Sequence, residues 1–210
     1  CHLSPPPLSP QENVPRVSTS QKKQPLPPLP ADVIARRAAA KRRSLFFALA
    51  GIILVADYLT KAWVVATIPV GETHASWGIL RITHVLNSGA AFGLGDKFTV
   101  AITIISMMII SAVASALWRS TNSAWAAGLA LILGGAFGNL YDRLFRPPAP
   151  FSGHVVDFIS VGKFPVFNIA DSAVTIGVII VVICIIAGKK LTGVPRQNDS
   201  TADNAQVSRA

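Results

Sequence analysis

The sequence predicts an all-α membrane protein with four transmembrane helices and a small β-rich region in its outer loops. The first observation is composition, since 51% of the 210 residues are hydrophobic and only 14% are charged. A soluble domain usually carries about 25% charged residues. The second is four apolar segments of roughly 18 residues or more, long enough to cross a bilayer. They cover residues 44–68, 98–118, 124–141 and 166–187, and they predict one helix bundle in lipid.

The distribution of basic residues predicts the orientation of this bundle. Eight Lys and Arg residues precede the first span, one lies between the second and third, and four follow the fourth. The other two loops, 69–97 and 142–165, together contain five. The positive-inside rule therefore places both termini in the cytoplasm and these two loops outside. This distribution also accounts for the net charge of +9 without a nucleic-acid partner.

The composition divides the chain into three parts. Residues 1–43 read as a disordered, proline-rich and basic cytoplasmic tail, because residues 1–30 contain nine of the fifteen prolines. Its basic segment, 31–43, is expected at the membrane surface. Residues 44–187 form the four-helix domain, and 188–210 form a polar cytoplasmic tail. The chain opens on Cys1 rather than Met, and we expect its start to be processed or truncated.

The first outer loop contains a strand signal. Residues 78–86 are rich in β-branched side chains and alternate loosely, which predicts a short strand or hairpin at the outer surface. The third span is rich in small residues instead. Its Gly134 and Gly138 form a GxxxG pair, which allows two helix backbones to approach closely.

Four acidic side chains are predicted near the outer leaflet. Asp57 lies roughly 20 Å into the first span, and Lys61 lies one turn further on the same helix face. We expect these two residues to form an ion pair that fixes helix packing. Asp142 closes the third span between Asn139 and Arg143, a pattern that predicts a structural or substrate-positioning role.

Asp157 and Asp171 have no adjacent basic residue and lie fourteen residues apart in apolar surroundings. Two close carboxyl groups cannot both ionise easily, so such a pair can share one proton and perform acid–base chemistry. An intramembrane acid is also a functional-site candidate by default. The alternative is that Asp171 is a helix N-terminal acid favoured by the helix dipole. The residues alone leave both interpretations open.

Metal binding is not expected. Three histidines lie in the predicted outer loops, namely His74, His84 and His154. Their spacing matches no familiar zinc site, and no cysteine accompanies them. Cys184 lies in the fourth span, where we expect its side chain to pack as a small apolar group and not to form a disulfide. We therefore predict no metal and no cofactor.

Five sequence blocks, in order between residues 57 and 171, resemble the lipoprotein signal peptidases (signal peptidase II). The blocks are DYLTK (57–61), NSGAAFG (87–93), GGAFGNLYDR (134–143), VVDF (155–158) and FNIAD (167–171). Each block alone is weak, but the ordered set is specific. The proline-rich tail lies outside the resemblance, and the segment between the two aspartates is short beside some members.

The resemblance implies an aspartyl endopeptidase of the bacterial inner membrane, with its active site at the outer face, and we expect it to be monomeric. It implies cleavage of prolipoproteins just before a diacylglyceryl-modified cysteine, contact with membrane lipid, and inhibition by the cyclic peptide globomycin. The family's catalytic aspartates correspond to Asp157 and Asp171. Its other functional positions correspond to Asp57, Lys61, Asn87, Gly93, Gly135, Asn139, Asp142, Arg143, Asn168 and Ala170.

Three structural expectations accompany the resemblance. The small residues at 134, 135 and 138 are expected to leave room for a substrate helix or lipid. Asn139 and Asn168 are expected to bind the substrate backbone or to hold the aspartates. Asp157 is expected on a loop that meets the helix-borne Asp171 around one water molecule.

Two alternatives come from other functional classes. A small proton- or ion-coupled transporter subunit would use Asp57, Lys61 and Asp171 as a relay. The absence of an internal sequence repeat argues against a complete transporter, which often contains repeats. A structural scaffold whose tail recruits partners would leave the outer acids unexplained.

Overall fold

The computed structural model describes residues 30–89 and 98–192, which form four α-helices and one three-stranded antiparallel sheet. The helices are α1 (Ala31–Thr67), α2 (Thr99–Arg119), α3 (Ser123–Phe145) and α4 (Ile169–Ile186). The strands are β1 (Thr73–Trp77), β2 (Leu80–Asn87) and β3 (Val155–Val161). All four helices are long and apolar enough to cross a membrane. The predicted fold class is therefore confirmed.

The first helix begins earlier than its hydropathy predicts. α1 starts at Ala31, thirteen residues before the predicted start of the span, so residues 31–43 are helical and not a disordered tail. This segment is rich in alanine and arginine, which both favour helix, but its charged side chains lower the mean hydropathy below that of a membrane span. Residues 1–29 and 193–210, and Gly93, lie outside the described part of the chain.

α3 is the central helix of the bundle and packs against the other three. Half of the most apolar 18-residue stretch of α3 is buried, compared with 17–22% of the corresponding stretch in each of the other helices. Glycines allow this packing where α3 crosses α4. A Cβ atom on Gly128 would lie 2.9 Å from the Gly177 carbonyl oxygen, and one on Gly177 would lie 2.6 Å from the Gly128 carbonyl oxygen. The two backbones are therefore in direct contact.

Neighbouring helices of the same chain occupy the space beside the glycines of the GxxxG region. A Cβ atom at Gly134 would lie 2.5 Å from the Ala50 carbonyl oxygen, and one at Gly135 would lie 2.4 Å from the Ala170 carbonyl oxygen. At Gly138 the same atom would lie 2.4 Å from an Asp57 carboxylate oxygen. The predicted close helix approach is confirmed. The expectation that these positions leave room for substrate or lipid is wrong, because α1 and α4 fill the space.

The sheet caps one end of the bundle, which we call the sheet end. Its strands are ordered β1-β2-β3, so the predicted hairpin between the first two spans is present. Val156 and Phe158 of β3 pack against Val64 and Ile68 at the end of α1. The Nδ1–H of buried His84 donates to the Ile68 carbonyl oxygen at 2.7 Å. The sheet is thus fixed to the helix that precedes it.

The opposite end of the bundle is held by basic side chains of α1. The Arg42 guanidinium donates to the backbone carbonyl of Thr121, in the connection between α2 and α3. The Arg43 guanidinium lies 4.8 Å from the centre of the Trp118 ring, a cation–π geometry. The Thr121 N–H donates to the Leu191 carbonyl oxygen at 2.9 Å. These contacts hold together α1, the loop between α2 and α3, and the segment that follows α4.

A buried ion cluster connects α1 to α3 near the sheet end. The Lys61 ammonium lies 2.7 Å from an Asp57 oxygen and 3.0 Å from an Asp142 oxygen, and all three side chains are at most 1% exposed. The same ammonium donates to the Asn139 side-chain oxygen at 2.9 Å. Its three N–H donors therefore each have a partner. The predicted Asp57–Lys61 pair is confirmed, and Asp142 joins it.

The two carboxylates of the cluster extend it to α4 and to the sheet. The second Asp57 oxygen accepts the Ala170 backbone N–H at 2.9 Å, at the start of α4. Asp142 accepts the Val156 backbone N–H of β3 at 3.2 Å and also binds Arg146. One cluster therefore contacts α1, α3, α4 and β3.

We expect Gly177→Ala to destabilise the bundle by about 1–3 kcal/mol, because its new Cβ would overlap the α3 backbone. The matched control is Gly51→Ala on α1, where an added Cβ has no atom within 4 Å. Thermal unfolding in detergent should show a lower midpoint for Gly177→Ala alone. Equal midpoints for the two variants would contradict the close α3–α4 contact.

We expect Lys61→Met to cost about 3–5 kcal/mol of stability, because it leaves two buried carboxylates without their cation. The control is Lys163→Met, which removes the same charge from an exposed turn. Adding Asp57→Asn to Lys61→Met should recover part of the loss, since one unpaired charge disappears. Chemical or thermal unfolding measures all three. A Lys61→Met protein as stable as the Lys163→Met protein would contradict this role.

Candidate active site

Asp157 is held in the middle of the sheet rather than on a loop. It lies opposite Val85 of β2 in the antiparallel register, and it is 2% exposed. Side chains alternate between the two faces of a strand, so Asp157 points away from the α1-packed face of Val156 and Phe158. Asn87 is the diagonal neighbour on this face, and its side-chain amide donates to Asp157 Oδ2 at 2.9 Å. The expectation of a loop-borne aspartate is therefore wrong.

Asp171 lies in the first turn of α4, which begins at Ile169 and not at the predicted residue 166. Asn168 is the N-cap residue, and its side-chain oxygen accepts the Asp171 N–H at 2.9 Å. The Asp171 carboxylate in turn accepts the Asn168 backbone N–H at 3.2 Å. These reciprocal bonds form a capping box. The helix N-terminal interpretation of Asp171 is therefore confirmed, and it fixes the direction of the carboxylate without excluding a chemical role.

Asn168 connects the two aspartates. While its oxygen caps α4, its side-chain nitrogen donates to Asp157 Oδ1 at 2.6 Å. A turn and the backbone pairing of Ile159 with Phe167 bring the chain back from β3 to this residue. The thirteen residues between the aspartates therefore form a compact return in which the Asn168 side-chain amide contacts the Asp157 carboxylate and the Asp171 backbone N–H. Asn168 and Asp157 are buried, whereas Asp171 is half-buried.

Asn139 connects Asp171 to the ion cluster. Its side-chain nitrogen donates to Asp171 Oδ1 at 2.7 Å, and its side-chain oxygen accepts from the Lys61 ammonium at 2.9 Å. Because an ammonium can only donate, Lys61 determines which end of the amide faces it. The NH₂ group must then face Asp171. The two asparagines therefore hold the aspartates, which was one of the two roles expected for them.

Asn87 is itself fixed by a tight turn. Its side-chain oxygen accepts the Gly89 N–H at 2.8 Å, and Gly89 has a φ of 89° that favours glycine. A Cβ atom there would also lie 2.8 Å from Ile102 and 3.2 Å from the Arg143 guanidinium. Arg143 donates to the Ser88 carbonyl oxygen at 3.4 Å. Arg143 therefore supports the turn that positions Asn87.

The environment of Asp157 makes its carboxyl group easier to protonate than that of an ordinary aspartate. Burial raises the pKa of this carboxyl group from its ordinary value to about 6, and the negative charge of Asp171 adds to this increase. The amide hydrogen bonds from Asn87 and Asn168 act in the opposite direction because they stabilise the carboxylate. The pKa of Asp157 thus lies where a carboxyl group can exchange a proton near neutral pH.

An apolar cavity of about 360 Å³ lies beside Asp171. Its lining consists of Phe164, Phe167, Asp171, Ser172, Thr175 and Ile176. Sequence reasoning missed the role of Phe164, Thr175 and Ile176. Their spacing from Phe167 and Asp171, three to five residues, offered a weak signal, but similar spacings occur on any packed helix.

The structure places ten of the twelve predicted site residues in one hydrogen-bonded or ion-paired network or in contact with it. Ala170 belongs to this network through its backbone N–H, which donates to Asp57. The other two are Gly135, which packs α3 against α4, and Gly93, which is outside the described residues. Within residues 30–89 and 98–192, no three or more His, Cys, Asp or Glu side chains are grouped to hold a metal ion.

Comparison with known proteins identifies the family. The family model of signal peptidase II matches residues 49–187. A lipoprotein signal peptidase from Rhodococcus jostii is 43% identical over 73% of this chain and 78% of its own length. One from Mycobacterium leprae is 42% identical over 70% of this chain and 74% of its own length.

The fold has a solved counterpart as well. A bacterial membrane enzyme determined by the in meso method at 1.9 Å resolution superposes with a TM-score of 0.60 and 31% sequence identity. The match covers 68% of this chain and 93% of that one. The resemblance in the five sequence blocks thus agrees with a match over most of the helical domain. The chain belongs to the signal peptidase II family of membrane proteases.

Proposed function

We propose that the protein is an intramembrane aspartyl endopeptidase that removes signal peptides from prolipoproteins. It cleaves just before the diacylglyceryl-modified cysteine. The observation that carries this proposal is that Asn168 holds both carboxyl groups in one network. Its side-chain nitrogen donates to the buried Asp157 carboxylate, and its backbone N–H donates to the half-buried Asp171 carboxylate. Family membership supports the lipoprotein substrate, because the relatives are lipoprotein signal peptidases.

The environments of the two carboxyl groups suggest different roles. Asp157 is the member of the pair proposed to supply the proton, because burial raises its pKa to about 6. Asp171 accepts hydrogen bonds from Asn139 and from the Asn168 backbone, an arrangement that suits a carboxylate acting as base. Water then attacks the scissile carbonyl carbon and gives a proton to Asp171, while Asp157 protonates the carbonyl oxygen.

Collapse of the tetrahedral intermediate completes the cleavage. The bond from carbon to nitrogen breaks, and Asp171 passes its proton to the departing amine of the modified cysteine. The hydroxyl group that formed when Asp157 protonated the carbonyl oxygen now returns its proton to Asp157, and the carbonyl of the new carboxyl group forms. Both residues regain their starting states, so the cycle needs water but no metal or cofactor.

The apolar cavity beside Asp171 suits a lipid-modified or apolar part of the substrate. Phe164 and Phe167 line it with Thr175 and Ile176, while Asp171 and Ser172 lie at the same cavity. A lipoprotein precursor combines an apolar signal helix with acyl chains beside the bond to be cut. A cavity that joins apolar walls to the proposed base can therefore place that bond at the carboxyl pair.

The charge distribution supports a location in the bacterial inner membrane with both termini in the cytoplasm. The opposite end of the bundle carries the helical basic segment 31–43, whereas the sheet end carries the carboxyl pair. The positive-inside rule then places the active site at the outer face. We further propose that the protein acts as a monomer and is inhibited by globomycin.

The ion-coupled transporter remains the competing function. It requires Asp57, Lys61 and Asp171 to exchange protons or ions, whereas Lys61 has all three of its donors occupied. Membership of a protease family favours hydrolysis. Ion flux in proteoliposomes that is lost on Asp171→Asn would favour transport instead.

We expect Asp157→Asn and Asp171→Asn each to reduce cleavage of a diacylglyceryl-modified precursor by about 10³-fold or more, because each removes a proton-transfer group. The control is Asp32→Asn, an exposed acid in the first turn of α1. Cleavage is measured with purified protein, with and without globomycin. Unchanged processing by either active-site variant would refute the assignment, provided that all variants insert and unfold like wild type.

We expect Asn87→Ala to move the pH dependence of kcat/KM upward by about one pH unit. Asn87 donates a hydrogen bond that stabilises the Asp157 carboxylate, so its loss raises the pKa of Asp157 further above about 6. Because Asp157 acts as the acid, activity falls as pH rises through this pKa, and the falling limb should shift to higher pH.

The matched control for this pH shift is Thr83→Ala. Thr83 lies on the same strand, and its hydroxyl donates to the Glu72 carbonyl instead of to Asp157. Its falling limb should coincide with that of wild type. A limb that moves to lower pH in Asn87→Ala would show that Asp157 does not act as the acid.

A further inference from the structure

α1 is much longer than the membrane requires. Its 37 residues span roughly 55 Å, whereas a hydrocarbon core is about 30 Å thick. The other helices have 18 to 23 residues. The excess lies at the end opposite the sheet, where α1 carries five basic residues: Arg36, Arg37, Lys41, Arg42 and Arg43.

A cavity of about 580 Å³ lies on this part of α1. It is lined by Ala38, Lys41, Arg42, Ser44, Leu45 and Ala48. Lys41, Leu45 and Ala48 recur at intervals of four and three residues, so they lie on one face of the helix. The cavity is therefore cationic toward the start of the helix and apolar toward the membrane.

The cationic part has donors available for an anion. Lys41 is exposed and makes no ion pair within residues 30–89 and 98–192. Arg42 donates through one nitrogen to the Ser120 carbonyl oxygen at 3.1 Å and through the other to Thr121. A guanidinium has five N–H groups, so Arg42 keeps donors free while these bonds hold it in place.

The apolar part continues along α1 toward the sheet end. Ile52 and Val55 follow Ala48 on the same face and are 64% and 54% exposed. Such a stripe on a membrane helix contacts lipid chains. Trp118, which packs with Arg43, marks the level of the membrane interface, where tryptophan is enriched. The cationic part of the cavity thus lies at headgroup level, with a hydrocarbon path below it.

We infer that this cavity is a binding site for an anionic phospholipid of the surrounding leaflet. Its phosphate lies between Lys41 and Arg42, and one acyl chain runs along Leu45 and Ala48. Charge complementarity selects an anionic headgroup over a zwitterionic one, because the five basic residues of this helix segment outnumber its one acid, Asp32. The site lies at the end of the bundle opposite Asp157 and Asp171, so it does not depend on the proposed catalytic function.

The test uses native mass spectrometry of the full-length protein in mild detergent with equal amounts of phosphatidylglycerol and phosphatidylcholine. We expect wild type to retain phosphatidylglycerol in preference. Lys41→Gln should lower its retention about fivefold. Arg36→Gln is the matched control, because it removes the same charge from a position about 140° around the helix, and it should stay within twofold of wild type.

A second variant tests the acyl-chain part of the site. Ala48→Trp fills the apolar end of the cavity and should reduce phosphatidylglycerol retention without changing the thermal unfolding midpoint. Competition with glycerol phosphate distinguishes a lipid site from a free-phosphate site, and glycerol phosphate should displace the lipid poorly.

Three outcomes overturn the inference. Equal retention of the two lipids would exclude selection by charge. Equal losses in Lys41→Gln and Arg36→Gln would indicate a diffuse attraction of the membrane surface rather than a site. Displacement of the lipid by glycerol phosphate at similar concentration would show that the cavity binds the phosphate group alone.

Discussion

The buried ammonium of Lys61 is the constraint on which the rest of the structure depends. A charge that is removed from water must be surrounded by opposite charge and hydrogen-bond acceptors, since otherwise its burial costs several kcal/mol. Asp57, Asp142 and Asn139 satisfy all three of its donors from two different helices. The same carboxylates accept backbone N–H groups from α4 and β3. Four elements can therefore move relative to one another only if a buried charge loses a partner.

This constraint is passed to the proposed catalytic pair through amide side chains. Lys61 fixes the orientation of Asn139, which then presents its NH₂ group to Asp171. Asn168 caps α4 with its oxygen and holds Asp157 with its nitrogen. An amide has distinct donor and acceptor ends, so each one transmits an orientation as well as a distance. The two carboxyl groups are consequently placed by a helix and a strand, which are more rigid supports than loops.

The two ends of the bundle have different chemistry, and α3 connects them. At the sheet end, buried acids and amides surround the carboxyl pair beside an apolar cavity. At the opposite end, arginines of α1 bind backbone carbonyls and an indole ring. Between these ends, glycines on α3 allow its backbone to contact the backbone of α1 on one side and of α4 on the other. This division suits the proposed function, in which a lipid-modified substrate is received at one membrane face and the protein is anchored by charge at the other.

The sequence by itself determined the four spans, the close packing at the α3 glycines, the Asp57–Lys61 pair and the family. Hydropathy, helix spacing and short motifs all act over a few residues, so they can be read locally. It did not determine that α1 starts at Ala31, because a basic helix and a solvated tail have similarly low mean hydropathy. Only the tertiary structure decided that Asp157 lies on a strand and that α1 and α4 fill the space beside the glycines. Those features depend on partners far away in the chain, such as Asn87 for Asp157 and Asp57 for Ala170, and no local pattern specifies which distant groups will meet.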